Sequence, residues 1–130
     1  SNETELTFPS SDASPEEVWQ WRSTMKHYNL TFNNKSHGFK PFFFKNLSPN
    51  SRGFYNSLSD NVMEIGKWYH VEIGKKENCL WFKLNDHIIF DIEDCNPLEA
   101  GYLMFRISGT TGEKTVLAKA ILKDIVINEQ

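Results

Sequence analysis

Residues 79–93, CLWFKLNDHIIFDIE, alternate so regularly that they leave the chain little choice of local structure. A hairpin with a three-residue loop at Asn85-Asp86-His87 pairs Leu84 with Ile88. One face then carries Leu80, Phe82, Leu84, Ile88, Phe90 and Ile92, all apolar, and the other carries Trp81, Lys83, Ile89 and Asp91. A two-residue loop would slide the second strand by one position and mix His87 and Asp91 into the apolar face. A one-residue slip moves every side chain to the opposite face, so the three-residue loop is the expected one. The polar face raises its own question: why a tryptophan sits there beside a lysine and opposite an aspartate.

Turn chemistry punctuates the rest of the chain in the same rhythm. Residues 1–17 are polar and rich in Ser and Pro, with a short edge strand expected over 6–8. Ser14-Pro15-Glu16-Glu17 has the form of a helix start: a capping Ser, Pro at the first position, Glu in the first turn. Any helix there is expected to be brief, because β-formers take over after Met25. Strands are expected over 26–33 and 39–45, flanking a turn at 33–38. Pro41 predicts an edge or bulged character for the second of them. Residues 46–51 read as loop, 53–57 as a short strand, 59–63 as loop and 67–75 as an alternating strand. Residues 101–108 alternate again, 108–114 form a Gly/Thr loop, and 115–128 read as a long strand covered on both faces. Short strands at this spacing with almost no helix predict one all-β domain over 1–130, an antiparallel sandwich.

Composition bounds the partners. At 130 residues and 39% hydrophobic content the chain can bury a single core. With a net charge of -3 and no basic run longer than Lys75-Lys76, neither nucleic acid nor an anionic membrane is an expected partner. The longest apolar run is far too short to cross a bilayer, and no signal peptide is visible. Ser1-Asn2 has the look of a tag-removal scar, in which case an export signal would already be gone. Aromatic residues make up 14% of the chain, enough to serve a β-rich core and still leave rings for stacking on a flat ligand. Cys79 falls opposite Glu93 in the hairpin register and Cys95 falls just past the ladder. Bonding them needs Cα atoms within about 7 Å, so two free thiols are expected. Asn2, Asn29, Asn34 and Asn46 each begin an Asn-X-Ser/Thr triplet, which matters only in a eukaryotic secretory pathway.

Residues 66–108 carry Gly66-Lys67-Trp68-Tyr69-His70-Val71, Asn85-Asp86, Phe90-Asp91, Asp94, Pro97-Leu98, Gly101 and Phe105-Arg106. In this order they resemble a recurrent block of concanavalin A-like lectin/glucanase jelly rolls. Within that superfamily the block looks most like a small bacterial family often encoded near pectin and other polysaccharide-utilisation enzymes. It also resembles 3-keto-disaccharide hydrolase-like domains and, more distantly, laminin-G modules. The resemblance implies a jelly-roll sandwich, a saccharide partner and an exported protein, periplasmic or extracellular. Jelly rolls of this kind are longer, which implies a trimmed sandwich or part of a longer chain. Asp86 stands where the block's turn has Gly, and Asp tolerates the left-handed conformation.

Catalytic signatures are thin. Glucanases of the superfamily use a Glu-x-Asp-x-x-Glu strand with carboxylates roughly 5–5.5 Å apart in a retaining pair, and no such strand exists here. There is no Gly-x-Ser-x-Gly elbow, and His27, His37, His70 and His87 lack zinc-site spacing. No cofactor is implied. The one conceivable cation is Ca²⁺ held by Asp91, Asp94 and a carbonyl, where an ordinary turn accounts for the same residues. A lyase acting on an acidic polysaccharide would take His70 or Tyr55 as base and one of Arg22, Arg52 or Arg106 to neutralise a uronate.

The expected site is therefore a carbohydrate surface. Trp81 and Asp91 on the hairpin, His70 on the preceding strand and Arg106 on the following one would together offer rings and hydrogen-bonders to a sugar. Trp81 is expected at the surface, and Trp68 in the core. Trp19, Trp21 and Arg22 in "WQWRS" form a second candidate group; in an extended chain the two indoles project together, with Arg22 opposite. Arg52 and Tyr55 could line the same groove. An oligo- or polysaccharide ligand is the first reading. An enzyme on the same sheet and a non-catalytic protein-interaction module are the rivals.

Overall fold

The computed structural model describes residues 7–32, 40–58, 60, 62–107, 110–111, 114–115 and 119–129. They are mostly β, with two antiparallel three-stranded sheets and one helix. Backbone contacts group the chain into two compact units, Ser1–Lys67 and Trp68–Gln130.

The first unit begins with α1 (Pro15–Ser23), a helix started by a full capping box. Glu17 N–H donates to Ser14 Oγ at 3.2 Å, and Ser14 N–H donates to the Glu17 carboxylate at 2.6 Å. Two of the orphan donors at the helix start are thus satisfied reciprocally. The helix runs through Trp19, Trp21 and Arg22, which corrects the extended reading of "WQWRS". No strand forms at Thr7 and Phe8, and the remainder of the strand expected over 6–8 lies outside the described residues.

The sheet of this unit has the order β1 (His27–Thr31), β2 (Phe42–Ser48), β3 (Ser51–Ser57). Its central strand β2 is paired on both sides, so the edge expectation is overturned. Pro41 is buried just before the ladder, where its missing N–H costs no pairing, and its carbonyl accepts from Leu58 N–H at 2.9 Å. The bulged expectation holds, with register shifts on either side of Asn46. Residues 46–51, expected as loop, instead complete β2 and turn at Pro49-Asn50 into β3. Phe43 and Phe44 are buried, and Phe43 meets Phe54 edge-on at 5.6 Å. Lys45 is buried too. Its stem lies over Gly53, where an added Cβ would fall 2.6 Å from Lys45 Cδ. The turn expected at 33–38 lies outside the described residues.

The second unit holds β4 (Val71–Lys76), β5 (Cys79–Leu84) and β6 (His87–Glu93), antiparallel and in sequence order. Leu80, Phe82, Leu84 and Phe90 are buried, as the alternation predicts. Fully enclosing a ring such as that of Phe82 stabilises a fold by roughly 2–3 kcal/mol. Away from the turn the ladder has the expected register: Phe82 faces Phe90, Trp81 faces Asp91, Leu80 faces Ile92 and Cys79 faces Glu93. The loop itself differs. Leu84 pairs with His87, and the turn is two residues, Asn85 and Asp86, both at positive φ (49° and 65°). That is the twist a tight hairpin prefers. One extra residue, taken up at the register shift beside Lys83, restores the partner strand to the apolar face. Ile88 is turned outward and 61% exposed, so it leaves the face on which alternation had placed it.

After β6 the expected pattern is not realised among the described residues. Residues 101–107 and 119–129 form no strand, and the short pairs β7 (Thr110–Thr111) and β8 (Lys114–Thr115) make a small hairpin between them. Tyr102, Leu103 and Phe105 are each more than half exposed, as are Ile121, Val126 and Ile127. Alternation shows that a segment can present one face. It does not supply the neighbouring row of N–H and C=O groups that a ladder requires.

Candidate functional site

The first unit contains a cleft of about 390 Å³, lined by Trp19, Arg22 and Ser23 of α1, by His27, Phe44 and Asn46 of the sheet, and by the turn and strand start at 49–52. Its floor follows from pairing: His27 faces Asn46, and Asn46 faces Arg52, so three strands contribute one cross-strand row. Arg52 and Tyr55 are three positions apart and would ordinarily point to opposite faces. The register shift between Phe44 and Asn46 removes that difference. Tyr55 stacks on Phe42 and Phe44 (ring centroids 5.7 and 6.1 Å), and the Arg52 guanidinium sits 4.8 Å from the Phe44 ring centre and 5.5 Å from that of Tyr55.

Helix geometry places the wall. Trp19 and Arg22 are three residues apart and share a side of α1, where both reach the cleft. Trp21 leaves that side. Its indole N–H donates to Thr7 O at 2.7 Å and its ring packs against Phe8 at 5.6 Å, fastening the N-terminal segment to the helix. Asn46 ties helix to sheet: its buried side-chain amide donates to Ser23 O at 2.9 Å and to Met25 O at 2.8 Å, satisfying carbonyls at the end of α1. Arg22 reaches Asn29 Oδ1 at 3.4 Å.

His27 is the least conspicuous member. Its Nδ1 lies 2.9 Å from Met25 O, and a carbonyl only accepts, so Nδ1 carries the hydrogen and donates it. Burial, followed by the positive charge of Arg22, holds the imidazole below the ordinary histidine value, partly offset by the Met25 hydrogen bond. The ring is therefore neutral near pH 7, with its second nitrogen an acceptor. That nitrogen, Nε2, is buried with no hydrogen-bond partner among the described residues. His27 carried no motif spacing in the sequence, and Asn46 only that of a glycan-acceptor triplet; a lone histidine in a strand and an asparagine read as loop give no signal of a cleft. Arg22 was legible, but its neighbour relation to Trp19 depended on a helix reaching Ser23.

The second unit answers the question of the polar face. Gly74 pairs with Trp81, and the indole lies across it: a Cβ on Gly74 would fall 2.0 Å from two ring carbons. The indole N–H donates to Glu72 Oε1 at 2.8 Å, and Lys83 Nζ stands 3.4 Å from the same oxygen. The Trp81 bond first, and Lys83 second, hold the Glu72 carboxyl below its ordinary range. Trp81 is thus half-buried, fixed by a glycine beneath and a carboxylate beside it, with Asp91 exposed opposite. His70 is exposed and bound through its backbone: its N–H donates to Asn85 Oδ1 at 2.9 Å and its O accepts from Asn85 N–H at 2.8 Å. Arg106 is exposed in the segment 101–107. Trp68, assigned to the core from sequence, is 61% exposed, with Lys123 Nζ 4.7 Å from its ring centre. Of the nine candidates, Trp19, Arg22 and Arg52 line the cleft and Tyr55 adjoins it through Arg52. His70, Trp81, Asp91 and Arg106 belong to the second unit.

Asp94 is buried and accepts from Asn96 N–H at 3.1 Å, a turn-forming role. Among the described residues no three His, Cys, Asp or Glu side chains group as a metal site would require. Cys79 and Cys95 are both free and exposed. No helix among the described residues is long and apolar enough to cross a membrane. Comparison with known proteins brings no relative: no family model, no curated protein and no solved structure matches the chain.

Proposed function

We propose that the chain is a carbohydrate-recognising module of the concanavalin A-like jelly-roll kind, belonging to an exported protein of polysaccharide utilisation. The cleft on the first sheet is the observation that carries this reading. It combines an exposed indole, two guanidiniums, a buried imidazole acceptor and small hydroxyl and amide groups in one concavity. Sugar recognition asks for this mixture, since a ring covers the C–H face of a pyranose while fixed polar groups meet its hydroxyls. The jelly-roll expectation draws support from two antiparallel three-stranded sheets with little helix. The test is binding to a panel of immobilised polysaccharides, followed by Trp19→Ala. Losing a stacking ring is expected to weaken binding about tenfold, since 1.4 kcal/mol is a factor of ten.

A protein-interaction module is the second reading, favoured by the apolar side chains exposed over 101–107 and 119–127. Failure to bind any glycan, together with a stable dimer in solution, would decide for it.

A further inference from the structure

The charge of the cleft is one-sided. Among the described residues Arg22 and Arg52 both line it, and no Asp or Glu does. Arg52 is held in place by two aromatic rings rather than by an anion. Among the described residues its guanidinium has no carboxylate partner, so its N–H donors remain available around a cation whose plane is already oriented. His27 adds a group of opposite character, the buried Nε2 lone pair that lacks a donor. A buried acceptor left unpaired costs about 1–3 kcal/mol, which a ligand hydroxyl would recover. A neutral sugar could answer the imidazole but would leave the Arg52 guanidinium without a counter-charge.

We propose that the cleft takes a carboxylate-bearing sugar, a uronate residue, with its carboxylate on Arg52 beside Arg22 and one of its hydroxyls donating to His27 Nε2. A planar carboxylate matches the guanidinium fork in a way that a neutral hydroxymethyl group does not. This inference rests on the carbohydrate reading above and narrows it to one ligand class.

Calorimetric titration of the full chain with galacturonate, glucuronate and guluronate trimers tests it, each compared with its fully methyl-esterified form and with a sulfated neutral trimer. At least one acid is expected to bind ten or more times tighter than its ester at low salt. Arg52→Gln should remove that preference, with thermal denaturation verifying that the variant folds. His27→Phe should weaken acid and ester alike by several fold, because it removes the hydroxyl acceptor and not the cation. Equal binding of acids and esters, or tighter binding of the sulfated trimer, overturns the uronate assignment while the carbohydrate reading stands. If the trimers and neutral polysaccharides all fail to bind, both fall together.

Discussion

Trp81 and Gly74 act as one packing unit, since the indole occupies the space a side chain at 74 would need. Gly74→Ala is therefore expected to lower stability by about 1–3 kcal/mol, the usual cost of overpacking. Pairing it with Trp81→Ala should cost clearly less than the two changes summed, because both act on the same space; denaturant midpoints of the four chains measure this. His27 gives a pH dependence of determinate sign. Its folded pKa lies below the ordinary 6.5, so the unfolded chain takes up the proton first. Stability is full above 6.5, falls as pH drops through 6.5 toward the folded value, and levels off below it. Urea midpoints at pH 7.5, 6.5 and 5.5 should show this decline, and His27→Gln should flatten it.

The hairpin β5–β6 shows how far an element can be read from its letters. Six apolar side chains segregating to one face fixed the ladder from Cys79 through Phe82, because any slip would bury Asp91. The same segregation pointed to the wrong loop, since a two-residue turn and one bulged residue give the same register further out. That solution depends on backbone twist at Asn85 and Asp86, which hydrophobic pattern does not record. Because Asp86 sits at φ 65°, Asp86→Gly should stabilise the hairpin by about 0.5 kcal/mol, visible as a higher melting temperature. Asn85→Gly should not, because its side chain accepts from His70 N–H. Helix α1 was largely legible: Ser14, Pro15 and the two glutamates announced its start, and the β-formers after Met25 bounded its length, while Trp, Gln and Ser between them favoured no particular last residue. Thr24 caps its end locally, and the Ser23 and Met25 carbonyls there accept from Asn46, a partner more than twenty residues away.

At the scale of the whole molecule, regular pairing is concentrated between residues 27 and 93, while residues 101–107, which alternate, and 119–129, read as apolar on both faces, form no ladder among the described residues. Periodicity reports which side of a segment is apolar and leaves open what it pairs with, so this part of the fold was the least legible. Amides in these two segments should exchange with solvent fastest, and those of 80–84 slowest, in a hydrogen-exchange time course. Slow exchange over 101–107 would reveal a ladder partner there.

The Asn46 amide nitrogen, held between two carbonyls, is also the atom to which oligosaccharyltransferase would attach a glycan, since Asn46-Leu47-Ser48 is an acceptor triplet. A glycan added during translocation, before helix and strand meet, would replace one of the two N–H donors and put a sugar where helix and strand close. Secretion from yeast or mammalian cells would then divide the product into a bare chain that closes and a decorated one that cannot. Ser48→Ala is the remedy to choose over a change at Asn46, because it erases the triplet and leaves the clasp intact.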